Sequence, residues 1–209
     1  MSSKDHQLQG IRGIIFDMDG TLVKSDLDFQ QIRSEACVPD GTPVLEFLDS
    51  VEGERREKAL HVLLTHEERA AQTCQLLPGA EEVLRELRRR QFPLALLTRN
   101  SRRSVEHVLS RFDLEFDCSI SREEAAPKPS PEPVRTIGSQ LNIPPTNLLL
   151  VGDYLFDLQA AKAAGARSAI LRTERTEPFV HDADIVLEDL RELPDYIPDQ
   201  TAPDLTEAV

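Results

Sequence analysis

Two aspartates one residue apart, Asp17 and Asp19, are the residues whose type and spacing point most directly to chemistry. They follow the apolar run 14–16, typical of a buried strand, and precede Gly20 and Thr21, typical of a tight turn. Side chains alternate across a strand, so both carboxylates would share one face if the strand continued. Two such charges about 4 Å apart repel by roughly 4 kcal/mol at an effective dielectric constant of about 20. The pair therefore needs a cation, a shared proton or ample water, unless it forms only a polar turn.

Further polar residues follow other predicted strands, and they are Thr98, Lys128, Asp153 and Asp157. Each has a simpler explanation when taken alone, as a helix cap or as a solvated side chain. In an open parallel sheet, however, ligands bind outside the carboxyl ends of the strands, where all these residues would lie. Carboxylates that converge with one lysine would form a site for a divalent metal ion and an anion. Their joint occurrence therefore favours a functional site.

The elements that would position these residues alternate between strand and helix after residue 78. Strands are predicted at 12–17, 93–97, 118–120, 148–151, 168–171 and 184–187. Helices are predicted between them, with Ser130 as the cap of one helix and Pro131 at its first position. Strands that are apolar on both faces predict an α/β fold, a Rossmann-like doubly wound parallel sheet with helices on each side.

The segment between the first strand and residue 78 has a different composition, charged and helical with no predicted strand. Asp28 is predicted to cap a first helix, Pro43 to open a second, and residues 53–75 to form a longer third. We therefore expect a small all-helical cap at 25–77, inserted after the first strand of a core domain formed by 1–24 and 78–192. Residues 193–209 are rich in Pro and Asp and are predicted to be a partly disordered tail.

The overall composition limits the partners of the chain. Its 209 residues carry a formal charge of −13 and a pI near 4.8, which argues against nucleic-acid or anionic-membrane binding. The cysteines, Cys37, Cys74 and Cys118, are too dispersed for a disulfide framework or a zinc site. The opening residues lack an apolar signal region and no run is long enough to span a membrane, so we expect a cytoplasmic location. Monomer and homodimer both remain open.

The order of the motifs resembles a known superfamily. Asp17-x-Asp19-Gly20-Thr21, a strand ending in Thr98, a distal Lys128, and Gly152-Asp153-x-x-x-Asp157 look like the four motifs of the haloacid dehalogenase (HAD) superfamily. The resemblance covers roughly residues 12–190, and the insertion is similar to the helical cap of the phosphoglycolate-phosphatase-like subgroup. The cap is short for that subgroup, and Lys24 stands where many members have an acidic or amide residue. The chain therefore looks like a short-cap branch.

The resemblance implies a role for each motif residue. Asp17 would attack phosphorus and form an aspartyl-phosphate, and Asp19 would act first as general acid and then as base. Mg²⁺ would be held by Asp17, by the backbone carbonyl of Asp19 and by Asp153. Asp157 would orient water or Lys128 rather than bind the metal directly.

The resemblance also implies ligands for the substrate. Thr98, Lys128 and the turn amides around Gly20 would hold the phosphoryl oxygens, and Asn100 would add a further donor. Positive potential near the site could come from three arginines, Arg99, Arg102 and Arg103. A solvated helix start is the better interpretation of these arginines.

These roles favour a Mg²⁺-dependent phosphatase acting on a small phosphomonoester, phosphoglycolate or another phosphorylated metabolite. A dehalogenase is disfavoured because a leaving halide needs no general acid such as Asp19. A sugar-phosphate mutase-type phosphotransferase shares the motifs but usually needs a larger cap. A phosphonate hydrolase would need a Schiff-base lysine from the cap, for which Lys24 and Lys58 are the candidates. A non-catalytic binding module on the same fold is the alternative from another class.

Overall fold

The centre of the molecule is a six-stranded parallel sheet. The computed structural model describes residues 8–198. The strands in chain order are β1 (Gly13–Phe16), β2 (Val23–Lys24), β3 (Gln75–Leu76), β4 (Leu94–Leu97), β5 (Cys118–Ile120), β6 (Leu148–Gly152), β7 (Arg167–Leu171) and β8 (Ile185–Leu187). The strand order in the parallel sheet is β5-β4-β1-β6-β7-β8. β2 and β3 form a separate antiparallel pair. The predicted α/β fold and parallel sheet are confirmed.

The helices form a layer on each face of the sheet and a separate group after β2. In chain order they are α1 (Phe29–Ala36), α2 (Val44–Ser50), α3 (Gly53–Thr73), α4 (Ala80–Arg89), α5 (Arg102–Phe112), α6 (Glu132–Leu141), α7 (Leu155–Ala164) and α8 (Leu193–Tyr196). Short 3₁₀ turns lie at Pro145–Asn147, Val180–Asp182 and Leu190–Glu192. Within residues 8–198 none of the helices is long and apolar enough to cross a bilayer.

The central strand β1 is buried on both faces because its side chains alternate between two hydrophobic clusters. Ile14 and Phe16 pack in the cluster that includes α4, α5 and α8. Ile15 points to the opposite cluster, which includes α6 and α7. This double burial explains why the strand sequence is a continuous apolar run rather than an alternating one.

Helices α1–α3, which we call the cap, pack around a hydrophobic cluster of their own that includes Ile32, Phe47 and Leu63. As predicted, Asp28 caps α1: its Oδ1 accepts the N–H groups of Gln30 and Gln31, each at 2.9 Å. The expectation of no strand in this segment is wrong, because β2 and β3 pair where the chain leaves and re-enters the core. Each of these strands has only two residues, too few to produce a periodic pattern.

Two predicted boundaries differ from the structure. α6 begins at Glu132 with Pro131 as its N-cap, although the Ser130 hydroxyl still accepts the Glu132 N–H at 3.2 Å. Leu193 and Ile197, which were predicted to lie in a partly disordered tail, are buried in the core. Their apolar side chains fill the cluster beside α4, which the local abundance of Pro and Asp did not reveal. Residues 199–209 of the predicted tail lie outside the described part of the chain.

Candidate active site

The predicted site residues lie at the carboxyl ends of three neighbouring strands. β1 is flanked by β4 on one side and β6 on the other, and the chain proceeds outward in opposite directions from this centre. Such a reversal of strand order leaves a crevice at the carboxyl ends of the strands. Asp17 directly follows β1, Thr98 follows β4 and Asp153 follows β6, so the sheet delivers all three residues to this crevice.

Lys128 reaches this crevice from the loop after β5 and is almost fully buried. Its Nζ donates to Asp17 Oδ1 and to Asp157 Oδ1, each at 2.6 Å, and to the carbonyl of Leu97 at 3.0 Å. These contacts satisfy all three N–H donors of the ammonium group. Burial alone would lower the pKa of Lys128, but the two carboxylates outweigh it and raise the pKa above its ordinary value. The side chain therefore stays charged.

Three buried carboxylates, those of Asp17, Asp153 and Asp157, offer oxygens within 4.8 Å of one another. Burial raises the pKa of Asp17 well above its ordinary value; Lys128 opposes this shift, and the other two carboxylates add to it. Burial, together with the charge of Asp157, raises the pKa of Asp153 to about 7. When all three carboxylates are ionised, the single positive charge of Lys128 does not neutralise the cluster. Carboxylate oxygens are the donors that hard divalent cations prefer, so this donor set fits Mg²⁺.

Asp157 differs from the other two carboxylates because both of its oxygens have partners within the protein. Oδ1 accepts from Lys128, and Oδ2 accepts the N–H of Tyr154 at 3.1 Å, which caps the start of α7. These contacts favour a positioning role for Asp157, toward Lys128, over direct binding of a metal ion.

Two glycines have no side chain where the carboxylates of Asp153 and Asp157 lie, and so make room for them. Gly20 has a φ of +80°, and a Cβ at this position would overlap the Asp153 carboxylate. A Cβ at Gly152 would overlap Asp157 in the same way. The N–H of Gly20 donates to the carbonyl of Val23 at 2.8 Å, which argues against the predicted use of this amide for phosphate. Gly20 contributes to the site by making room for Asp153 instead.

Asp19 lies beside the carboxylate cluster and is held by Asn100, whose Nδ2 donates to Asp19 Oδ2 at 2.5 Å. Burial raises the pKa of Asp19, while hydrogen bonds from Ser25 and Asn100 limit the rise. Thr98 is buried, and its hydroxyl accepts the N–H of Asn100 at 3.2 Å. A carboxyl group with a raised pKa is suited to donate a proton near neutral pH. Ser25 was not predicted, since nothing in its spacing sets it apart from a surface serine.

A cavity of about 340 Å³, the cap–core cleft, opens beside these residues. The cap contributes Phe29, Arg33 and Leu63 to its walls, and the core contributes Asn100 and Tyr154. Asn100 is the residue that holds Asp19, and Tyr154 directly follows Asp153. The cleft therefore leads to the carboxylates from between the cap and the core.

The interpretation of Arg99 as part of a solvated helix start is wrong. Its side chain is 19% exposed, and Nη2 lies 2.9 Å from both carboxylate oxygens of Glu46 in the cap. Nη1 donates to the carbonyl of Lys128, and the guanidinium lies over the ring of Phe156. Arg103, which is 77% exposed, agrees with the solvated interpretation.

Arg102 falls between these two cases. Its guanidinium is partly buried and pairs with Glu124 through Nη2 at 2.5 Å, and it also donates to Ser119. The side chain therefore binds the neighbouring loop rather than water alone.

A buried ion pair between Glu67 and Arg122 also connects the cap to the core. The oxygen and nitrogen lie 2.5 Å apart, and the side chains are 3% and 9% exposed. Glu67 Oε2 further accepts the N–H of Ser101 at 3.3 Å. Glu67 was not predicted, although its place on the apolar stripe of α3, four residues after Leu63 and three before Ala70, could have revealed it.

The fold and this set of side chains together define a hydrolase of the haloacid dehalogenase class. The family model described as haloacid dehalogenase-like hydrolase matches residues 11–165, and the chain belongs to this family. The resemblance drawn from the motifs, including that to the phosphoglycolate-phosphatase-like subgroup, is confirmed.

Relatives cover most of the chain. An uncharacterized hydrolase of Saccharomyces cerevisiae is 30% identical over 201 residues, which span 91% of this chain and 92% of the relative. A phosphoglycolate phosphatase of Cereibacter sphaeroides is 30% identical over 196 residues, which span 81% and 89% of the two chains. The solved structure of a haloacid dehalogenase-like hydrolase of Streptococcus pneumoniae shares the fold, with a TM-score of 0.73 at 19% identity and coverage of 90% and 98%.

Proposed function

We propose that this protein is a Mg²⁺-dependent phosphatase that hydrolyses a small phosphomonoester through an aspartyl-phosphate intermediate. The observation that carries the proposal is the buried cluster of Asp17, Asp153 and Asp157 around Lys128, next to residues that line the cap–core cleft. The phosphoglycolate phosphatase among the relatives supports phosphoglycolate as one candidate substrate.

The metal site would use the carboxylates of Asp17 and Asp153 and the backbone carbonyl of Asp19. The Mg²⁺ held there would neutralise charge on the nucleophile and on the phosphoryl group. Asp157 would stay outside this set, because Lys128 and the Tyr154 N–H engage its oxygens.

Asp17 is the proposed nucleophile. Lys128 binds its Oδ1, which orients the carboxylate and leaves the other oxygen to attack phosphorus in line. Thr98 would donate its hydroxyl to a phosphoryl oxygen during this transfer, and Lys128 would supply positive charge beside it while its three N–H donors stay on Asp17, Asp157 and the Leu97 carbonyl. Asp19 would protonate the leaving alcohol and then take a proton from the water that hydrolyses the aspartyl-phosphate. The raised pKa of Asp19 supports the first of these steps, because the proton is retained to higher pH than on an ordinary carboxyl group.

The alternative readings have less support. A phosphonate hydrolase would need Lys24 or Lys58 in the cleft, but both side chains are exposed and neither lines it. Within residues 8–198, no contact favours a sugar-phosphate mutase-type phosphotransferase. The complete set of charged groups argues against a non-catalytic module. A cytoplasmic location, a small-molecule partner and a monomeric or dimeric state stay predictions.

The test is release of phosphate from p-nitrophenyl phosphate with Mg²⁺ and with a chelator. We expect turnover only with the metal, and its loss in Asp17→Asn, because an amide does not act as the nucleophile. Asp49→Asn, which changes an exposed cap residue, is the control and should keep full activity. Fluoroaluminate should protect the native chain from unfolding but not Asp17→Asn. Retained turnover in Asp17→Asn would remove Asp17 as the nucleophile.

A further inference from the structure

We propose that the cap–core cleft accepts phosphomonoesters that carry a second anionic group, and that Arg33 and Arg175 bind this group. The inference rests on the proposed phosphatase function and narrows its substrate class. The second group would be a carboxylate or another phosphate, since the planar fork of a guanidinium matches both.

The two arginines reach the cleft from different parts of the molecule. Arg33 lies on α1 of the cap, and Arg175 lies in the loop after β7 of the core. The Arg175 guanidinium lies over the ring of Tyr154, 4.4 Å from its centroid, and Tyr154 directly follows Asp153. Arg175 is thereby held beside the catalytic end of the cleft. A ligand in the cleft would meet one arginine from the cap and one from the core.

Both arginines lack a carboxylate at ion-pair distance in the described part of the chain, although the charge of Arg175 opposes the rise in the pKa of Asp153. The other charged residues in the cleft wall are already paired, Arg99 with Glu46 and Glu67 with Arg122. Arg33 is half-buried and Arg175 is exposed, so both guanidinium groups are accessible to a ligand in the cleft. An anionic ligand would compensate them.

The size of the cleft limits the rest of the substrate. Its volume of about 340 Å³ is near the lower end of ligand cavities, which range from about 300 to 1,000 Å³. With the phosphoryl group at the carboxylate cluster, a short carbon skeleton could bring a second anion to the arginines. Phe29 and Phe156 line the cavity and offer apolar contacts to such a skeleton.

The test compares matched substrates that differ in the second group. One pair is 2-phosphoglycolate and ethylene glycol monophosphate, where a hydroxymethyl group replaces the carboxylate. The other is fructose 1,6-bisphosphate and fructose 6-phosphate. We expect the more anionic member of at least one pair to have the higher kcat/KM, by about 10- to 100-fold, as for a charge-assisted hydrogen bond. The pair that shows the preference identifies a carboxylate or a phosphate.

The variants are judged by the ratio of kcat/KM within a pair, because a general loss of folding or catalysis cancels in this ratio. Arg33→Gln and Arg175→Gln should each lower the ratio by about tenfold, mainly through KM, because these contacts bind the second anion rather than the reacting phosphoryl group. Arg33→Lys should restore part of the ratio. Arg103→Gln, which changes an exposed arginine outside the cleft, should leave it unchanged.

The inference and the phosphatase function fail in different ways. Turnover of p-nitrophenyl phosphate with a ratio near one in both pairs would overturn the second-anion site and leave the phosphatase function intact. No turnover of any ester would remove the phosphatase function. Calorimetric binding of 2-phosphoglycolate or fructose 1,6-bisphosphate then decides the site: binding weakened by Arg33→Gln supports it, and no binding overturns it.

Discussion

At the scale of single residues, the absence of a side chain at Gly20 leaves room for the carboxylate of Asp153. Gly20 has a φ of +80°, and a Cβ there would overlap that carboxylate. We expect Gly20→Ala to displace Asp153 and to lower kcat by on the order of 100-fold, as for displacements of about 1 Å at other catalytic centres. Phosphate release at saturating Mg²⁺ measures the effect.

Gly165→Ala is the matched control for this substitution. Gly165 has a φ of +82° but open space around its Cβ position. The control should lower stability by about 1–2 kcal/mol through backbone strain and leave kcat unchanged. Similar kcat values for the two variants would contradict the steric role of Gly20.

Asn100 lowers the pKa of Asp19 through one hydrogen bond, an effect smaller than those of burial and of the Ser25 hydrogen bond. The bond favours the charged carboxylate and so lowers a pKa that burial has raised. Asn100→Ala should therefore raise the pKa of Asp19 further. The general acid then keeps its proton to higher pH, and the alkaline fall of kcat should move to higher pH. A pH profile of turnover measures this shift.

Ser101→Ala is the control for Asn100→Ala, because the Ser101 hydroxyl contacts Ser104 rather than Asp19. Its pH profile should match that of the native protein. An alkaline limb that stays in place or moves to lower pH in Asn100→Ala would refute this account of Asp19.

How far the site could be predicted depended on how local its signals are. Asp17 and Asp153 could be predicted because each ends an apolar strand, and parallel strands bring their carboxyl ends together. Arg99 could not, because its partner, Glu46, lies 53 residues away along the chain. The position of Glu67 on the apolar stripe of α3 indicates that it is buried, but its partner, Arg122, lies 55 residues away. Burial of a charged side chain depends on such distant partners, which composition and spacing do not reveal.

At the scale of secondary-structure elements, prediction succeeded where an element is long enough to show a period or an apolar run. The strand β6 is fully buried and was predicted at 148–151 from its apolar run. The strands β2 and β3 are stabilised by pairing with each other rather than by a pattern within either of them. They lie at the base of the cap because the chain leaves the core at β2 and re-enters it at β3, which brings the two strands side by side.

The ion pairs that connect the cap to the core differ in burial. The side chains of Glu67 and Arg122 are 3% and 9% exposed, whereas Glu46, the partner of Arg99, is 42% exposed. Glu67→Ala should lower the free energy of unfolding by about 3–5 kcal/mol, because it leaves the buried Arg122 guanidinium with only the more distant Glu123 carboxylate, at 4.0 Å. Glu46→Ala should cost less than about 1 kcal/mol, as expected for an exposed pair. Urea denaturation measures both, and equal losses would contradict this difference.

At the scale of the whole molecule, folding brings negative charge into the interior that the unfolded chain leaves in water. Burial raises the pKa of Asp17 and raises that of Asp153 from 3.8 to about 7. A carboxyl group with a raised folded pKa contributes stability below its unfolded pKa and loses that contribution as pH rises through the folded value. Without a divalent cation, this contribution should therefore decline between about pH 4 and pH 7.

Mg²⁺ should reverse this loss, because a cation in the cluster stabilises the ionised carboxylates. At a free concentration of 100 times its dissociation constant, Mg²⁺ should raise the free energy of unfolding by about 2.7 kcal/mol. At one fixed Mg²⁺ concentration, the gain in unfolding free energy should be larger at pH 8 than at pH 6, where protons compete with the metal for Asp153. Asp153→Asn removes one charge and one proposed metal ligand. Its free energy of unfolding should therefore depend less on pH without the metal, and Mg²⁺ should raise that free energy little. An equal Mg²⁺ response in the native protein and in Asp153→Asn, measured by urea denaturation, would show that the cation binds elsewhere.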